Sequence, residues 1–75
     1  MDIKSGRNII KIKKGDQFMD NGACIQLERP YPQDNYIISK TEWKRILKDG
    51  SFKKNSRKSK YLKDLIYIYI YEGSN

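Results

Sequence analysis

The chain contains no histidine and only one cysteine, Cys24, among its 75 residues. Without histidine, the side chain that most often acts as a general acid or base near neutral pH is missing. One cysteine cannot form an intramolecular disulfide or a cysteine-based zinc site. Because Cys24 falls within a predicted strand and has no histidine partner, we interpret it as a packing or surface residue rather than a nucleophile.

Long apolar segments are also missing. The longest apolar run covers 65–71, far short of the roughly 20 residues with which a helix spans a bilayer. The first eight residues lack the apolar stretch of a signal peptide. We therefore expect a cytoplasmic protein with no membrane partner, and a single cysteine agrees with a reducing compartment.

Signatures of phosphate-binding loops and catalytic centres are absent as well. The five glycines stand singly at positions typical of turns, so they form no glycine-rich phosphate loop. Asp16, Asp20 and Asp34 also fall in predicted turns, where aspartate commonly hydrogen-bonds the local backbone. We predict a protein that is not an enzyme and that uses no metal ion and no cofactor.

What the chain has in excess is positive charge, concentrated in one segment. The net charge is +7, from 16 basic and nine acidic residues. Residues 40–63 hold ten of the basic residues and two of the acidic ones, a local charge of +8 that leaves −1 for the rest. A solvated lysine-rich face is the simpler interpretation, but such a concentration favours a polyanionic or acidic partner.

Alternation of apolar and polar residues predicts short strands over 8–14, 17–19, 23–29 and 36–38 and a longer one over 62–72. Gly15-Asp16 predicts a turn, after which 17–19 forms a return strand. Asn21-Gly22 is the strongest turn signal and predicts a type I′ hairpin, because asparagine and glycine accept positive φ angles.

A short helix is predicted over 40–49. Ser39 and Glu42 match a capping box, in which the serine oxygen accepts from the Glu42 amide and the carboxylate reaches back to the Ser39 amide. Ile38 and Trp43 are spaced for a hydrophobic staple, and Gly50 is placed to end the helix.

These elements predict one α+β domain over residues 1–75. We expect a small antiparallel sheet or a partly closed barrel of four to five strands, with the helix before the last strand. Residues 51–60 are basic and poor in apolar side chains, and we interpret them as an exposed loop.

The last strand carries two kinds of side chain. Isoleucines alternate with tyrosines, as Ile66, Ile68 and Ile70 against Tyr67, Tyr69 and Tyr71. We expect the isoleucines to form the core. The tyrosines then form either a second packed layer or an exposed platform that stacks on bases. An uncharged strand of this kind would aggregate as a bare edge, so we expect either a central strand or a homodimer through 65–71, formed by that edge or by the tyrosines.

Two functions fit this pattern. The first is a small, non-catalytic nucleic-acid-binding accessory protein that contacts phosphates of DNA or RNA through 40–63. The alternative is an inhibitor of the phage or mobile-element type that docks on an acidic surface of a host nucleic-acid-processing enzyme, in an anti-defence or anti-CRISPR-like role. The predicted contact residues are Lys44, Arg45, Lys48, Lys53, Lys54, Arg57, Lys58, Lys60, Tyr67 and Tyr69.

Overall fold

Two antiparallel sheets and one helix make up the part of the chain that the structure, a computed structural model, describes: residues 1–30, 32–58 and 65–74. The elements are β1 (Asp2–Ser5), β2 (Asn8–Lys11), β3 (Gln17–Asp20), β4 (Ile25–Glu28), β5 (Tyr36–Ile38), α1 (Lys40–Asp49), β6 (Gly50–Lys58) and β7 (Leu65–Ser74). Strands β1 and β2 form a hairpin, and the others form a five-stranded sheet in the order β5-β4-β3-β7-β6. The predicted α+β class is confirmed, as an open sheet and not a closed barrel.

The N-terminal hairpin differs from the expected arrangement. Strand β2 stops at Lys11 and pairs with β1, which the sequence pattern did not predict. The strand after Gly15-Asp16 forms, but its neighbours are β4 and β7. The reason is that the Asp16 backbone hydrogen-bonds Tyr71, which directs the chain into the larger sheet. A two-residue turn at Gly6, with φ +59°, allows β1 to pair with β2 instead.

Two arginines attach this hairpin to the rest of the fold. Arg29 donates to the Lys11 carbonyl at 2.8 Å and forms an ion pair with Asp16 at 3.1 Å. Arg45 of α1 donates to the Asp2 carbonyl at 3.0 Å. The hairpin thereby covers one side of the core, to which it contributes three buried side chains, Ile3, Ile10 and Ile12.

The turn between β3 and β4 lies where Asn21-Gly22 predicted it, but its geometry is different. Gly22 has φ +88°, and no described residue other than glycine has a positive φ. A type I′ turn needs two such residues, so the connection is not of that type. The Asn21 side chain closes it instead, accepting from the backbone N–H groups of Ala23 and Cys24 at 2.9 and 3.0 Å.

Helix α1 has the predicted bounds. The Ser39 side chain accepts from the Glu42 N–H at 3.2 Å. The Glu42 carboxylate, however, accepts from the Lys4 backbone N–H at 2.6 Å, so a contact with β1 takes the place of the expected bond to Ser39. Trp43 and Ile46 are the buried residues of this helix. With ten residues, α1 is too short and too polar to cross a membrane, and no other helix occurs in the described ranges.

Aromatic rings fill the space between α1 and the larger sheet. The Trp43 ring lies 5.0 Å from Phe18, 5.6 Å from Phe52 and 5.1 Å from Tyr69 between ring centroids. Tyr71 joins through Phe52 at 5.4 Å. Tilted and edge-on pairs at such distances each contribute about 0.5–1.5 kcal/mol beyond their buried area. This aromatic cluster holds α1 on the sheet.

The expectation that the isoleucines of the last strand form the core is wrong. Phe18 lies directly opposite Tyr69 and is fully buried, and Tyr71 is only 3% exposed, so the tyrosine face of β7 looks toward α1. The isoleucines are half-buried on the opposite face. Alternation separates the two faces of a strand, but it does not show which face a helix covers. Here α1 places Trp43 over the tyrosine face, and the aromatic rings fill the space between the helix and the sheet.

The prediction of a loop over 51–60 is also corrected. Residues 50–58 form β6, which pairs with β7 along its whole length with one irregularity between Ser51 and Phe52. Pairing with β7 satisfies the backbone hydrogen bonds of β6, and the Phe52 ring packs in the aromatic cluster. The strand therefore needs few other apolar side chains to stay in place. Exposed lysines are typical of an edge strand, where they discourage pairing with other chains. Residues 59–60 of the predicted loop and 62–64 of the predicted last strand lie outside the described residues.

Strand β7 lies inside the sheet, with β3 on one side and β6 on the other. Its edges are therefore occupied within the chain between Tyr67 and Ile70. A homodimer through 65–71 remains a prediction, but it cannot form by strand pairing along β7 between Tyr67 and Ile70, because β3 and β6 already pair there.

Gly50 joins α1 directly to β6, and its backbone is extended (φ −117°, ψ 163°), a conformation that any residue adopts. Glycine is needed here for space: a Cβ atom would lie 2.9 Å from Tyr71 Cε1 and 3.0 Å from Phe52 Cε2. Because this corner is overpacked by one added methyl, Gly50→Ala is expected to lower the free energy of unfolding by about 1–3 kcal/mol. Urea denaturation measures the change.

The matched control is Ser56→Ala, an exposed position of the same strand, for which a change of less than about 0.5 kcal/mol is expected. A Gly50→Ala protein as stable as the wild type would contradict the close packing of Gly50 against Tyr71 and Phe52.

Candidate nucleic-acid interface

Arg45 neutralises both acidic residues of the basic segment. Its guanidinium lies 2.7 Å from Glu42 and 3.3 Å from Asp49 across adjacent turns of α1, and it also holds the Asp2 carbonyl. The sequence predicted Arg45 as a partner contact, but the structure gives its donors to the helix and to β1. We therefore leave Arg45 out of the candidate interface.

The same network changes the ionisation of its members. The hydrogen bond from Arg45, helped by the Lys4 backbone N–H, lowers the pKa of Glu42 from 4.5 to about 2, although burial acts in the opposite direction. The Glu42 side chain is only 12% exposed. In return, Glu42 raises the pKa of Arg45. The pair stays fully charged at neutral pH and holds α1 against the N-terminal hairpin.

Four lysines of the segment carry charge that no described ion pair neutralises. Lys40, Lys44, Lys53 and Lys54 are exposed, and none of them forms an ion pair within the described ranges. Because Arg45 pairs with Glu42 and Asp49, the two acidic residues of 40–63, the positive potential of this region is carried by ammonium groups that face solvent.

These lysines lie on two sides of the larger sheet. Lys54 is opposite Tyr69 in the β6–β7 ladder and so shares the side covered by α1, which itself presents Lys40 and Lys44. Lys53 points to the other side, since neighbouring residues of a strand alternate. We call the first group, Lys40, Lys44 and Lys54 together with Tyr67, the helix-side surface.

Tyr67 holds Lys54 in place on this surface. The Lys54 Nζ atom lies 4.4 Å from the centroid of the Tyr67 ring and 5.6 Å from that of Tyr69. A cation over an aromatic face gains about 0.5–1 kcal/mol at an exposed site. Lys54 is thus oriented beside the aromatic cluster rather than free to extend in any direction.

A groove of about 290 Å³ runs between α1 and the β3–β4 turn. Lys40 and Lys44 border it on the helix side, and Trp43 forms part of its wall. Asp20, on the other wall, pairs with Tyr67 across β3 and β7, so the groove opens next to the Tyr67–Lys54 pair. The Asp20 carboxylate accepts from the Gly22 N–H at 2.9 Å. Sequence patterns did not indicate this groove, because it joins segments that are far apart in the chain.

The tyrosines do not form a row of exposed rings. Tyr71 is buried, and its hydroxyl lies 2.7 Å from the Ser74 hydroxyl. Tyr69 packs edge-on against Trp43 and Phe52. Tyr67, half-buried under Lys54, is the member of the three that stands outside the buried cluster.

No protein-family model, curated protein or solved structure matches this chain.

Three of the predicted contact residues, Lys44, Lys54 and Tyr67, come together on the helix-side surface. The structure adds Lys40, which belongs to the basic segment and borders the groove. Of the other predicted residues, Tyr69 belongs to the aromatic cluster beneath this surface, and Arg45 belongs to the Glu42 network. Lys53 lies on the opposite face, Lys48 is in the last turn of α1, Arg57 and Lys58 lie in β6 opposite Ile66 and Leu65, and Lys60 is outside the described residues.

The Glu42 network gives a pH dependence with a defined sign. Because folding lowers the pKa of Glu42, its ionised form stabilises the native state fully above about pH 4.5, and this contribution is lost as the pH falls toward about 2. Glu42→Gln removes it. The wild type is expected to be more stable than the variant at neutral pH, with a difference that shrinks between these two values.

Urea denaturation of both proteins from pH 7 to pH 2 measures the difference. Glu72→Gln is the control, because Glu72 is exposed and has no ion pair with a described residue. A stability difference between wild type and Glu42→Gln that is the same at both ends of the range would argue against the network.

Proposed function

We propose that the protein binds nucleic acid through the phosphate backbone, without catalysis, on the helix-side surface. The observation that carries this proposal is the arrangement of charge. Lys40, Lys44 and Lys54 share one side of the sheet and form no ion pair with a described residue. Asp20, across the groove, is the acidic residue near them, and Arg45 occupies both acidic residues of the segment.

Lysine on such a surface acts as a point charge. Each ammonium group that meets a phosphate releases condensed counterions, which makes the affinity steeply dependent on salt. Lysine lacks the planar fork with which arginine reads guanine, so contacts of this kind position the protein without selecting a sequence. Binding with little sequence preference follows from a surface built of lysines.

Burial restricts what the tyrosines of β7 contribute to binding. Tyr69 and Tyr71 stabilise the fold through the aromatic cluster, which limits the stacking on successive bases that the sequence suggested. We assign Tyr67 the task of orienting Lys54, since the ammonium already lies over its ring at 4.4 Å. Electrostatics therefore supplies most of the proposed affinity.

Docking on an acidic surface of a host enzyme is the alternative that uses the same lysines. Protein interfaces draw much of their affinity from aromatic anchors at their centre. Two of the nearby rings, Trp43 at 6% exposure and Tyr71 at 3%, are buried in the core, and Tyr67 is half-buried under Lys54. This favours a phosphate backbone over a protein surface as the partner of the helix-side lysines.

The test removes the three lysines together. Lys40→Ala/Lys44→Ala/Lys54→Ala is expected to weaken binding to short fluorescent oligonucleotides, measured by anisotropy on single-stranded DNA, single-stranded RNA and duplex DNA. For single strands, the slope of log affinity against log salt is expected to become less steep by about 2, because three phosphate contacts are lost.

The matched control is Lys11→Ala/Lys13→Ala/Lys14→Ala, which removes three exposed lysines from the N-terminal part of the chain and reduces the net charge equally. It is expected to retain most of the affinity. Equal loss in both variants would mean that only the net charge matters. A wild-type protein that binds none of the probes at low salt would end the proposal, and one that retains a protein partner from nuclease-treated lysate would favour the inhibitor instead.

A further inference from the structure

The larger sheet has a second face that no described element covers. Among the side chains that the structure describes, cross-strand register places ten on it: Gln17, Met19, Gln26, Glu28, Ile37, Lys53, Asn55, Ile66, Ile68 and Ile70. Ile37 is 62% exposed, and Met19 and the three isoleucines of β7 are half-buried. We call this the open face. A central strand of the sheet thus leaves a stripe of isoleucines toward solvent.

The charge on the open face differs from that of the helix-side surface. Glu28 lies near one flank, and Lys53 lies on the opposite flank. Its described charges therefore have both signs. The described residues of this face offer no concentrated positive charge to a polyanion. They do offer complementary groups to a surface that also carries charges of both signs.

The open face is arranged so that it complements itself. One row across β4, β3, β7 and β6 reads Glu28, Gln17, Ile70 and Lys53, and the adjacent row reads Gln26, Met19, Ile68 and Asn55. Both rows are centred on the boundary between β3 and β7. The middle of the second row is apolar, and that of the first row is Gln17 and Ile70. The acid and the base of the first row stand at equal distances from the boundary.

We propose that the open face binds the open face of a second copy of this chain. A two-fold axis along the β3–β7 boundary places Glu28 of each copy over Lys53 of the other and Met19 over Ile68. The same surface then serves both copies, as the two-fold symmetry of most homodimers requires. Two sheets stacked in this way, with strands nearly aligned, form a common sandwich arrangement.

The size of the face sets the strength of the dimer. Four to five strands at about 4.8 Å spacing and five residues of about 3.4 Å give a patch of roughly 20 by 17 Å. This is smaller than the about 800 Å² per partner of a standard stable interface. The repulsion between two chains of net charge +7 acts against association and weakens as salt rises. The dimer is therefore weak and dependent on concentration.

This inference does not rest on nucleic-acid binding, because it concerns the face of the sheet opposite to the helix-side surface. It also accounts for the apolar stripe of β7 without using the occupied strand edge. In the dimer, both helices and their lysines remain on the outside.

Sedimentation equilibrium from micromolar to millimolar protein, at about 0.15 M and about 1 M salt, tests the proposal on the full chain. The wild type is expected to shift from monomer to dimer within this range. Lys53→Glu and Glu28→Lys each bring like charges together and are expected to weaken dimerisation at least tenfold. The double variant, which keeps the net charge of the wild type, is expected to recover to within about threefold.

Lys54→Glu is the matched control for Lys53→Glu, because it changes the net charge equally one residue away on the other side of the sheet. It is expected to leave the dimer constant within about threefold. Ile68→Lys, checked for folding by circular dichroism, is expected to abolish the dimer at all concentrations.

Three results overturn the proposal. The first is a wild-type chain that stays monomeric at millimolar concentration. The second is an equal loss in Lys53→Glu and Lys54→Glu, or a double variant without recovery. The third is an Ile68→Lys protein that still forms the dimer. If the wild type shows no dimer and Ile68→Lys loses oligonucleotide binding, the open face is a nucleic-acid surface instead.

Discussion

The contact between Trp43 and the rings of Phe18, Phe52 and Tyr69 is the interaction on which the rest of the structure depends. A helix of ten residues is not stable alone in water, so α1 exists because Trp43 and Ile46 are buried in the core, with Trp43 packed on the rings of the sheet. That contact decides which face of β7 becomes core. It also decides where the lysines of α1 stand relative to Lys54.

Local signals in the sequence were sufficient for the elements whose bounds depend on neighbouring residues. Ser39 and Gly50 located the helix, Asn21 and Gly22 located the β3–β4 turn, and the α+β class followed from the order of the elements. Whether β7 buried isoleucine or tyrosine depended on distant Trp43, which no pattern within the strand reveals. The pairing of β6 along β7 was hidden for the same reason, because a lysine-rich segment becomes a strand only when its neighbour supplies the hydrogen bonds.

The candidate site shows the same division. That the positive charge lies within 40–63 is visible in the sequence, and Lys44 and Lys54 were predicted from it. The sequence did not show which charges remain available to a partner. Arg45 is not available, because its donors are used by Glu42, Asp49 and the Asp2 carbonyl of β1. The groove beside Lys40 was missed because its walls are separate in sequence.

The direct passage from α1 into β6 at Gly50 makes chain length itself a constraint at this point. With no loop to absorb a change, one inserted or deleted residue between Asp49 and Ser51 would rotate the helix by about 100° relative to the strand, or exchange the two faces of β6. Lys53 and Lys54 would then trade sides. Variants that keep this fold should therefore carry substitutions near Gly50 and insertions elsewhere. The number of residues between α1 and β6 is constrained more tightly than the identity of the residues around Gly50.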